Sequence, residues 1–126
     1  MRELYDFLHS AGVCLLATAE GGQPRLRPIG SFCLFRDRLY FQTVRVKTVS
    51  RELHANPRVE LCAMQGQRWL RVEGSAVLED ATEVRAALPT LDRLYRPEGA
   101  EAELWYLRNC NAALYEGTEL VKTWRF

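Results

Sequence analysis

The sequence predicts a mainly β protein, a small antiparallel barrel with short helices covering its open ends. Short runs of strand-forming residues alternate with turn residues along the 126-residue chain. The connections between the first strands span only about two to five residues, too few for the crossovers that parallel strands need. Residues 69–78 alternate apolar and polar side chains with the period of a half-buried strand.

The first third of the chain is predicted to form a helix and then three strands in an antiparallel meander. The helix covers residues 2–10, where Leu4, Phe7 and Leu8 recur at helical spacing. A strand at residues 13–18 is followed by Gly21-Gly22, a dipeptide typical of hairpin turns. The return strand, the next turn and the third strand are predicted at residues 24–35, 36–37 and 39–43, respectively.

A second helix and two more strands follow. The helix is predicted at residues 46–55, with Val46, Val49 and Leu53 on one side. It ends before Asn56-Pro57, because the residue that precedes a proline avoids the helical region. The two strands are predicted at residues 58–65 and 69–78.

The last third is predicted to contain two short helices and a closing hairpin. Asp80 and Glu83 have the spacing of a capping box, which would begin a helix that stops at Pro89. Residues 103–107 fit a helix or a strand equally well. A second short helix would hold Leu91, Leu94 and Tyr95, and the hairpin would pair residues 111–115 with 120–126 around Gly117. Nothing in the pattern divides the chain, so residues 1–126 are expected to form a single domain.

The charge balance argues against nucleic acid and membranes as partners. The chain has 17 basic and 16 acidic residues, a net charge of +1, whereas polyanionic partners require a strong positive field. No apolar run approaches the roughly 20 residues that span a bilayer. The opening residues 1–8 include acids, unlike a signal peptide. We therefore expect a cytoplasmic protein.

Motifs of protein-based catalysis are missing from the sequence. The four cysteines are scattered, which predicts reduced, structural thiols rather than a metal or redox motif. His9 and His54 lie in separate predicted helices, and no nucleophile elbow, Gly-rich phosphate loop or metal motif occurs. The catalytic residues are therefore unknown and no metal site is predicted. If the protein is an enzyme, we therefore expect its reaction to depend on a cofactor.

Two segments have unusual composition. The first lies within a predicted strand and consists of Arg27, Pro28, Ile29 and Gly30. Pro28 cannot donate a hydrogen bond to a neighbouring strand, and Gly30 permits close approach by another backbone or a flat ring. These features could expose main-chain groups to an aromatic ligand, but taken alone the segment favours an edge strand protected from aggregation by its proline.

The second segment lies where a predicted strand runs into a helix. It contains Gln42, Thr43, Lys47 and Thr48, and Arg45 and Arg51 lie close by. Free N–H groups and a partial positive charge at a helix N-terminus suit a phosphate. Basic residues in the first turn of a helix are unfavourable beside the positive end of the helix dipole. Their presence here therefore favours a bound ligand over a turn that contacts only solvent.

Taken together, these segments resemble the pyridoxamine 5′-phosphate oxidase-like family of FMN-binding split-barrel proteins over nearly the whole chain. The similarity rests on the order and spacing of four stretches rather than on any one of them. These are residues 12–32 (GVCLLATAEGGQPRLRPIGSF), 37–61 (DRLYFQTVRVKTVSRELHANPRVEL), 69–88 (WLRVEGSAVLEDATEVRAAL) and the closing LVKTWRF.

The resemblance implies a six-stranded antiparallel split β-barrel with short flanking helices, which forms a homodimer with two FMN molecules at the subunit interface. It also implies an FMN-dependent oxidoreductase whose substrate is unknown. Residues 27–30 would flank the isoalloxazine ring, which agrees with the predicted meander, where their strand neighbours the strand of Gln42 and Thr43. Gln42 and Thr43 would lie beside the ribityl chain, and Lys47 and Thr48 would hold the phosphate. The partner subunit would cover the ring with an aromatic side chain, Trp105 or Trp124.

The resemblance leaves alternatives open. True pyridoxamine phosphate oxidases carry a C-terminal Arg-x-His segment, whereas this sequence closes with Trp124-Arg125-Phe126, so oxidation of pyridoxamine phosphate is not expected. Other relatives bind a deazaflavin or haem, and fold alone does not decide between them. Haem ranks lower because neither histidine falls in the proposed pocket. A flavin-binding module without catalytic activity is the third alternative.

Overall fold

A computed structural model describes residues 1–30, 32–87 and 101–126, which form three helices and eight strands. The helices are α1 (Arg2–Ala11), α2 (Thr48–Ala55) and α3 (Thr82–Ala87). The strands are β1 (Cys14–Glu20), β2 (Gln23–Ile29), β3 (Cys33–Phe35), β4 (Arg38–Val44), β5 (Arg58–Gln65), β6 (Arg68–Leu78), β7 (Ala102–Glu116) and β8 (Glu119–Arg125). No helix in these ranges is long and apolar enough to cross a membrane.

All strands belong to one antiparallel sheet in the order β2-β1-β5-β6-β7-β4-β3, with β8 paired to β7. β2 and β3 lie at the two ends of this order, and no pairing joins them among the described residues, so the sheet remains open. This architecture confirms the predicted mainly β class and is consistent with a split barrel.

Two tight turns occur where the sequence predicts them. Gly21 and Gly22 have φ values of 54° and 86° between β1 and β2, and Arg36 and Asp37 have φ values of 49° and 58° between β3 and β4. Two consecutive positive φ angles are typical of type I′ hairpin turns, whose twist matches that of the flanking strands.

The return strand predicted at residues 24–35 is instead two strands, β2 and β3. β2 ends at Ile29, directly after the proline that removes a ladder donor, and β3, which begins at Cys33, stands at the opposite end of the strand order. The predicted three-stranded meander is therefore wrong. β2 and β4 are not neighbours, contrary to the expected placement of the two unusual segments. The sheet also has eight strands rather than six.

Two further elements differ from the prediction. α2 begins at Thr48 rather than at residue 46, because the N–H of Lys47 donates to Val44 O in a turn, and Val46 is 68% exposed. Residues 103–107, which fitted either structure, form part of the long strand β7. The predicted helix of Leu91, Leu94 and Tyr95 lies outside the described residues.

The core lies between one face of the sheet and the helices α1 and α2. Leu4 and Leu8 of α1 and Val49 and Leu53 of α2 belong to the same buried cluster as the inward side chains of the strands. The opposite, outer face of the sheet carries exposed apolar side chains on several strands. Among these are Leu15 on β1, Leu26 on β2 and Met64 on β5.

Candidate functional site

The β2 segment lies at the edge of the sheet, as the proline suggests. Pro28 is exposed, Ile29 packs partly against the core, and Gly30 is exposed directly after the strand. A Cβ atom added to Gly30 would meet nothing within 4 Å, and the residue does not have a positive φ. The fold of one subunit therefore does not require glycine at this position.

Arg27 turns its side chain toward the core face rather than outward. Its Nη2 atom donates to Glu52 Oε2 at 2.7 Å, and its Nη1 atom donates to Thr18 Oγ1 at 2.7 Å and to Leu16 O at 3.3 Å. Glu52 belongs to α2 and its side chain is only 2% exposed. A guanidinium with this many bonds fixes β2 against β1 and α2.

The N-terminus of α2 carries two exposed side chains of the second unusual segment. Lys47 is the N-cap residue and Thr48 opens the helix. No side chain caps this terminus by a hydrogen bond, and the first turn contains no acidic residue. Helices usually receive a Ser, Thr, Asp or Asn cap at this position, since the first N–H groups lack helical partners. Apart from the Ser50 N–H, which donates to Lys47 O at 3.1 Å, the terminus is therefore a positive end without a side-chain acceptor among the described residues.

The two unusual segments meet through α2, although their strands are not neighbours. Arg27 holds the middle of the helix through Glu52, and Arg51 of the same helix pairs with Glu20 of β1 at 2.6 Å. α2 begins at the segment that contains Lys47. Ion pairs between α2 and the strands β1 and β2 thus link residues 27–30, which were predicted to contact the ring, to the segment that was predicted to bind the phosphate.

A second buried carboxylate holds the other side of α2. Glu103 on β7 accepts a short hydrogen bond from the Ser50 hydroxyl, and its Oε2 atom lies 2.6 Å from His54 Nε2. The His54 ring packs edge-on against Trp105, with 5.0 Å between the ring centroids. Trp105 is only 3% exposed. It is therefore part of the core rather than a free aromatic cover.

Gln42 and Thr43 are both buried in β4, at 7% and 4% exposure. Thr43 is paired across the strands with Glu103. Within the described parts of the chain, neither its hydroxyl nor the indole N–H of Trp105 has a hydrogen-bond partner. A buried polar atom without a partner is costly, and the Thr43 hydroxyl has no accessible surface in one subunit.

A cavity of about 440 Å³ lies on the sheet beside a β-bulge in β6. Its walls include Glu60, Glu73 and Asn111, but it contains none of the predicted site residues.

A smaller cavity of about 320 Å³ does include one of them, Gly30. Its other described walls are Tyr5, Leu8, His9, Gly12 and Phe32. His9 thus lies beside one of the predicted site residues, Gly30. None of residues 42–48 lines this cavity.

Trp124 lies on the other side of α1. Its indole N–H donates to Glu3 at 3.2 Å, and it lines cavities of about 220 and 380 Å³ that do not include Gly30. Within one subunit, therefore, the structure does not bring Trp124 to the β2 segment.

The residues that organise this region were not evident in the sequence. Glu52 and Glu103 are acids within an ordinary helix and strand, and their partners are distant in the chain. The sequence places His54 only in a predicted helix, without a partner. The hydrogen-bond and ion-pair partners of a buried carboxylate can be identified only in the folded structure.

The buried thiols are poor nucleophiles. Burial raises the pKa of Cys14 to about 11, and it raises the pKa of Cys110 to about 11 as well. A thiolate is the reactive form, so these cysteines remain structural near neutral pH.

Comparison with known proteins places the chain in a family. The model of the family described as pyridoxamine 5′-phosphate oxidase matches residues 1–104. Curated proteins yield no match.

Several solved structures share the fold over the whole chain. A NimC/NimA family protein from Clostridium acetobutylicum has 28% identity and a TM-score of 0.85, with 100% of this chain and 93% of that chain covered. General Stress Protein 26 from Bacillus anthracis strain Sterne has 19% identity and a TM-score of 0.71, with coverage of 98% and 99%.

A heme binding protein from Mycobacterium smegmatis has 18% identity and a TM-score of 0.75, with 98% of this chain but 56% of that chain covered. These two lower identities support a shared fold only. The family model, in contrast, covers most of the sequence. The chain belongs to the pyridoxamine 5′-phosphate oxidase family.

Proposed function

We propose that this protein is an FMN-binding flavoprotein that acts as an oxidoreductase and as a homodimer. The observation that carries the proposal is the uncapped, basic N-terminus of α2 at Lys47, in a chain of this family. Bound FMN supplies hydride or single-electron transfer, and the protein supplies binding, orientation and exclusion of water.

The phosphate end of FMN fits the start of α2. A phosphate there would accept hydrogen bonds from the free N–H groups and from the Thr48 hydroxyl. Lys47 would add a positive charge, and it forms no ion pair with the residues that the structure describes. Gln42 and Thr43 would lie beside the ribityl chain along β4, and since consecutive strand residues point to opposite faces, only one of the two side chains would face it.

The ring end of FMN fits the β2 edge. An edge strand has main-chain donors and acceptors that no neighbouring strand uses. Backbone groups of residues 27–30 would meet the polar edge of the ring, and the open space over Gly30 would admit its flat face. The Arg27 side chain would act indirectly, because its ion pair with Glu52 holds this strand against the helix that binds the phosphate.

The outer face of the sheet supports a homodimer. Leu15 is 41% exposed, Leu26 is 65% exposed and Met64 is 64% exposed, and the strand register places them on one face across β1, β2 and β5. Exposed apolar side chains gathered on one face of a sheet favour a partner that covers them. Within one subunit, Trp124 does not reach the β2 segment. In the dimer, Trp124 of the partner subunit would therefore cover the ring.

Haem is the less favoured cofactor on geometric grounds. His54 directs Nε2 to the buried Glu103, and His9 stacks on Tyr5 with 5.6 Å between the ring centroids. Of the two ring nitrogens of His54, the bond to Glu103 leaves only Nδ1 for an iron atom, and the ring also packs against the buried Trp105.

The experiment is a titration of the purified chain with FMN, followed by fluorescence quenching and by the absorption spectrum of the protein fraction. Saturable binding of one FMN per subunit supports the proposal. A protein that refuses FMN but takes up haem, with a strong Soret band, or a deazaflavin contradicts it. Binding without turnover of any electron donor or acceptor would make the protein a flavin-binding module.

A further inference from the structure

We infer that Glu103 is a positioning residue, which sets the first turn of α2 through Ser50 so that the turn presents its N–H groups to a phosphate in one fixed arrangement. The inference rests on the proposed function, because the phosphate is that of the proposed FMN. It adds that a carboxylate on β7, which is not proposed to contact the cofactor, determines how strongly the helix end prefers a phosphorylated flavin to an unphosphorylated one.

Glu103 contacts α2 with both of its carboxylate oxygens. It lies on β7 directly opposite Thr43 on β4, and it is only 4% exposed. Its Oε1 atom accepts a hydrogen bond from the Ser50 hydroxyl, and its Oε2 atom lies 2.6 Å from His54 Nε2. Ser50 and His54 are four residues apart and therefore lie on the same face of the helix. The buried carboxylate is thus bound to α2 at two separate turns.

The contact with Ser50 reaches the start of the helix. Ser50 is the third residue of α2, and its N–H donates to the carbonyl oxygen of Lys47, the N-cap residue, at 3.1 Å. The N–H groups of Thr48 and Val49 precede it and have no acceptor within the helix, as is usual for a first turn. Because Ser50 joins Glu103 to the N-cap residue, its placement sets the direction of these two N–H groups.

The turn that leads into α2 is attached to the same part of β7. The N–H of Arg45 donates to Glu101 O at 2.9 Å, and the side chains of the two residues pair at 3.0 Å. The N–H of Lys47 donates to Val44 O at 3.0 Å. The backbone is therefore held by Glu101 before the N-cap and by Glu103 after it. Donors that are already fixed bind an anion more tightly, since no ordering cost is added on binding.

A polar contact at this place gives the helix a property that packing does not give. Hydrophobic residues of similar volume often stabilise a fold as well as a buried charged group does, so α2 could be held on the sheet without Glu103. A hydrogen bond to a buried carboxylate restricts the helix to one position along the sheet. We therefore assign Glu103 a role in the placement of the helix end, in addition to its contribution to stability.

The contact with His54 provides an internal control. His54 lies in the last turn of α2, and its ring packs against Trp105. Six residues separate it from Thr48, which corresponds to about 9 Å along the helix axis. Loss of either contact with Glu103 should destabilise the protein, but only loss of the Ser50 contact should alter the end of the helix that is proposed to bind the phosphate.

Ser50→Ala and His54→Ala form the matched pair of variants. Ser50→Ala should weaken FMN binding about two- to twelvefold, the range for one lost hydrogen bond, and leave riboflavin binding unchanged. His54→Ala should keep the wild-type ratio of the two Kd values. Fluorescence titration gives the ratios, and chemical denaturation should show lower stability for both variants. A wild-type ratio in Ser50→Ala, or the same change of ratio in both variants, overturns the inference.

Glu103→Gln and Glu103→Leu separate position from charge. Glutamine retains the length of the side chain and a carbonyl oxygen that can accept the Ser50 hydrogen bond, so the preference for FMN should stay within about twofold of the wild type. Leucine lacks any acceptor, and its preference should fall as in Ser50→Ala. If glutamine loses the preference as fully as leucine or Ser50→Ala does, the charge of Glu103 is responsible and the positioning role is wrong.

Inorganic phosphate tests the helix end without the flavin. In NMR titrations, phosphate should shift the amide signals of Thr48 and Val49 in a saturable way, with a Kd about two- to twelvefold higher in Ser50→Ala. This result in a chain that does not bind FMN supports the role of Glu103 and refutes the flavoprotein. If FMN binds and Ser50→Ala changes neither titration, only the role of Glu103 is refuted. A folded wild-type chain that binds neither ligand contradicts both proposals.

Discussion

Arg27 and Glu52 are 25 residues apart in the chain, yet Nη2 of the arginine lies 2.7 Å from Oε2 of the glutamate. The pair joins the edge strand β2 to α2, and thereby joins the two segments that are proposed to hold opposite ends of one cofactor. Because Glu52 is almost completely buried, we expect that breaking this ion pair destabilises the folded protein.

Arg27→Ala should lower the free energy of unfolding by about 3 kcal/mol, because it removes the charged partner of a buried carboxylate and leaves it the Thr18 hydroxyl at 3.3 Å. Arg25→Ala is the matched control on the same strand. Arg25 pairs with Glu20 at 3.4 Å on the surface, so its loss should cost less than about 1 kcal/mol. Chemical denaturation measures both values, and equal losses would contradict a special role for Arg27.

Lys47→Ala should weaken FMN binding about tenfold and leave riboflavin binding nearly unchanged, since only FMN carries the phosphate. Arg45→Ala removes a nearby charge that is already paired with Glu101 at 3.0 Å, and it should have little effect on either ligand. Fluorescence titration with both flavins provides the comparison. Parallel losses for FMN and riboflavin would show that Lys47 does not contact the phosphate.

Gly30→Ala should leave thermal stability unchanged and weaken FMN binding, because the added methyl group would enter space that the fold of one subunit leaves empty. Gly12→Ala is the opposite case. Its φ of 84° disfavours alanine, so stability should fall by about 1 kcal/mol. Melting curves and FMN titrations of both variants separate the two effects. Unchanged FMN affinity in Gly30→Ala would remove Gly30 from the site.

The buried cysteines predict how stability depends on alkaline pH. Burial raises the pKa of Cys14 and of Cys110 to about 11 from an ordinary value of 9.0. The unfolded chain therefore loses these protons first, so the contribution of the two thiols to stability is complete below about pH 9 and is lost as the pH rises toward 11. Denaturation curves between pH 8 and pH 11 test this trend against the double variant Cys14→Ala/Cys110→Ala, which should decline less.

Leu26→Lys should convert a dimer into monomers, because it places a charge on the exposed apolar face of the sheet. Val46→Lys introduces the same charge at another exposed apolar residue, which precedes α2 and is 68% exposed, and it should not change the assembly. Sedimentation velocity measures the mass of each variant. A wild-type chain that sediments as a monomer would refute the homodimer.

Much of the fold could be predicted from local sequence because its causes are local. The helix at the start, the turns at Gly21-Gly22 and Arg36-Asp37, and the alternating strand β6 follow from periodicity and from backbone preferences. β5 has the bounds that the sequence predicts, since Pro57 precedes it and Gly66 follows it. The fold class and the family resemblance therefore follow from the order of local signals along the chain.

Partnerships between distant residues could not be predicted in this way. Whether residues 24–35 form one strand or two depends on which strands offer an edge, and the structure places β2 and β3 at opposite ends of the sheet. The roles of Glu52 and Glu103 likewise depend on Arg27, Ser50 and His54, which only the folded chain brings within hydrogen-bond distance. The sequence by itself determined most of the helices and strands, the family and the two unusual segments. The tertiary structure alone decided how α2 joins those segments and that His9 and Gly30 line one cavity, because the energies of buried charges and cavities arise from contacts between residues far apart in the chain.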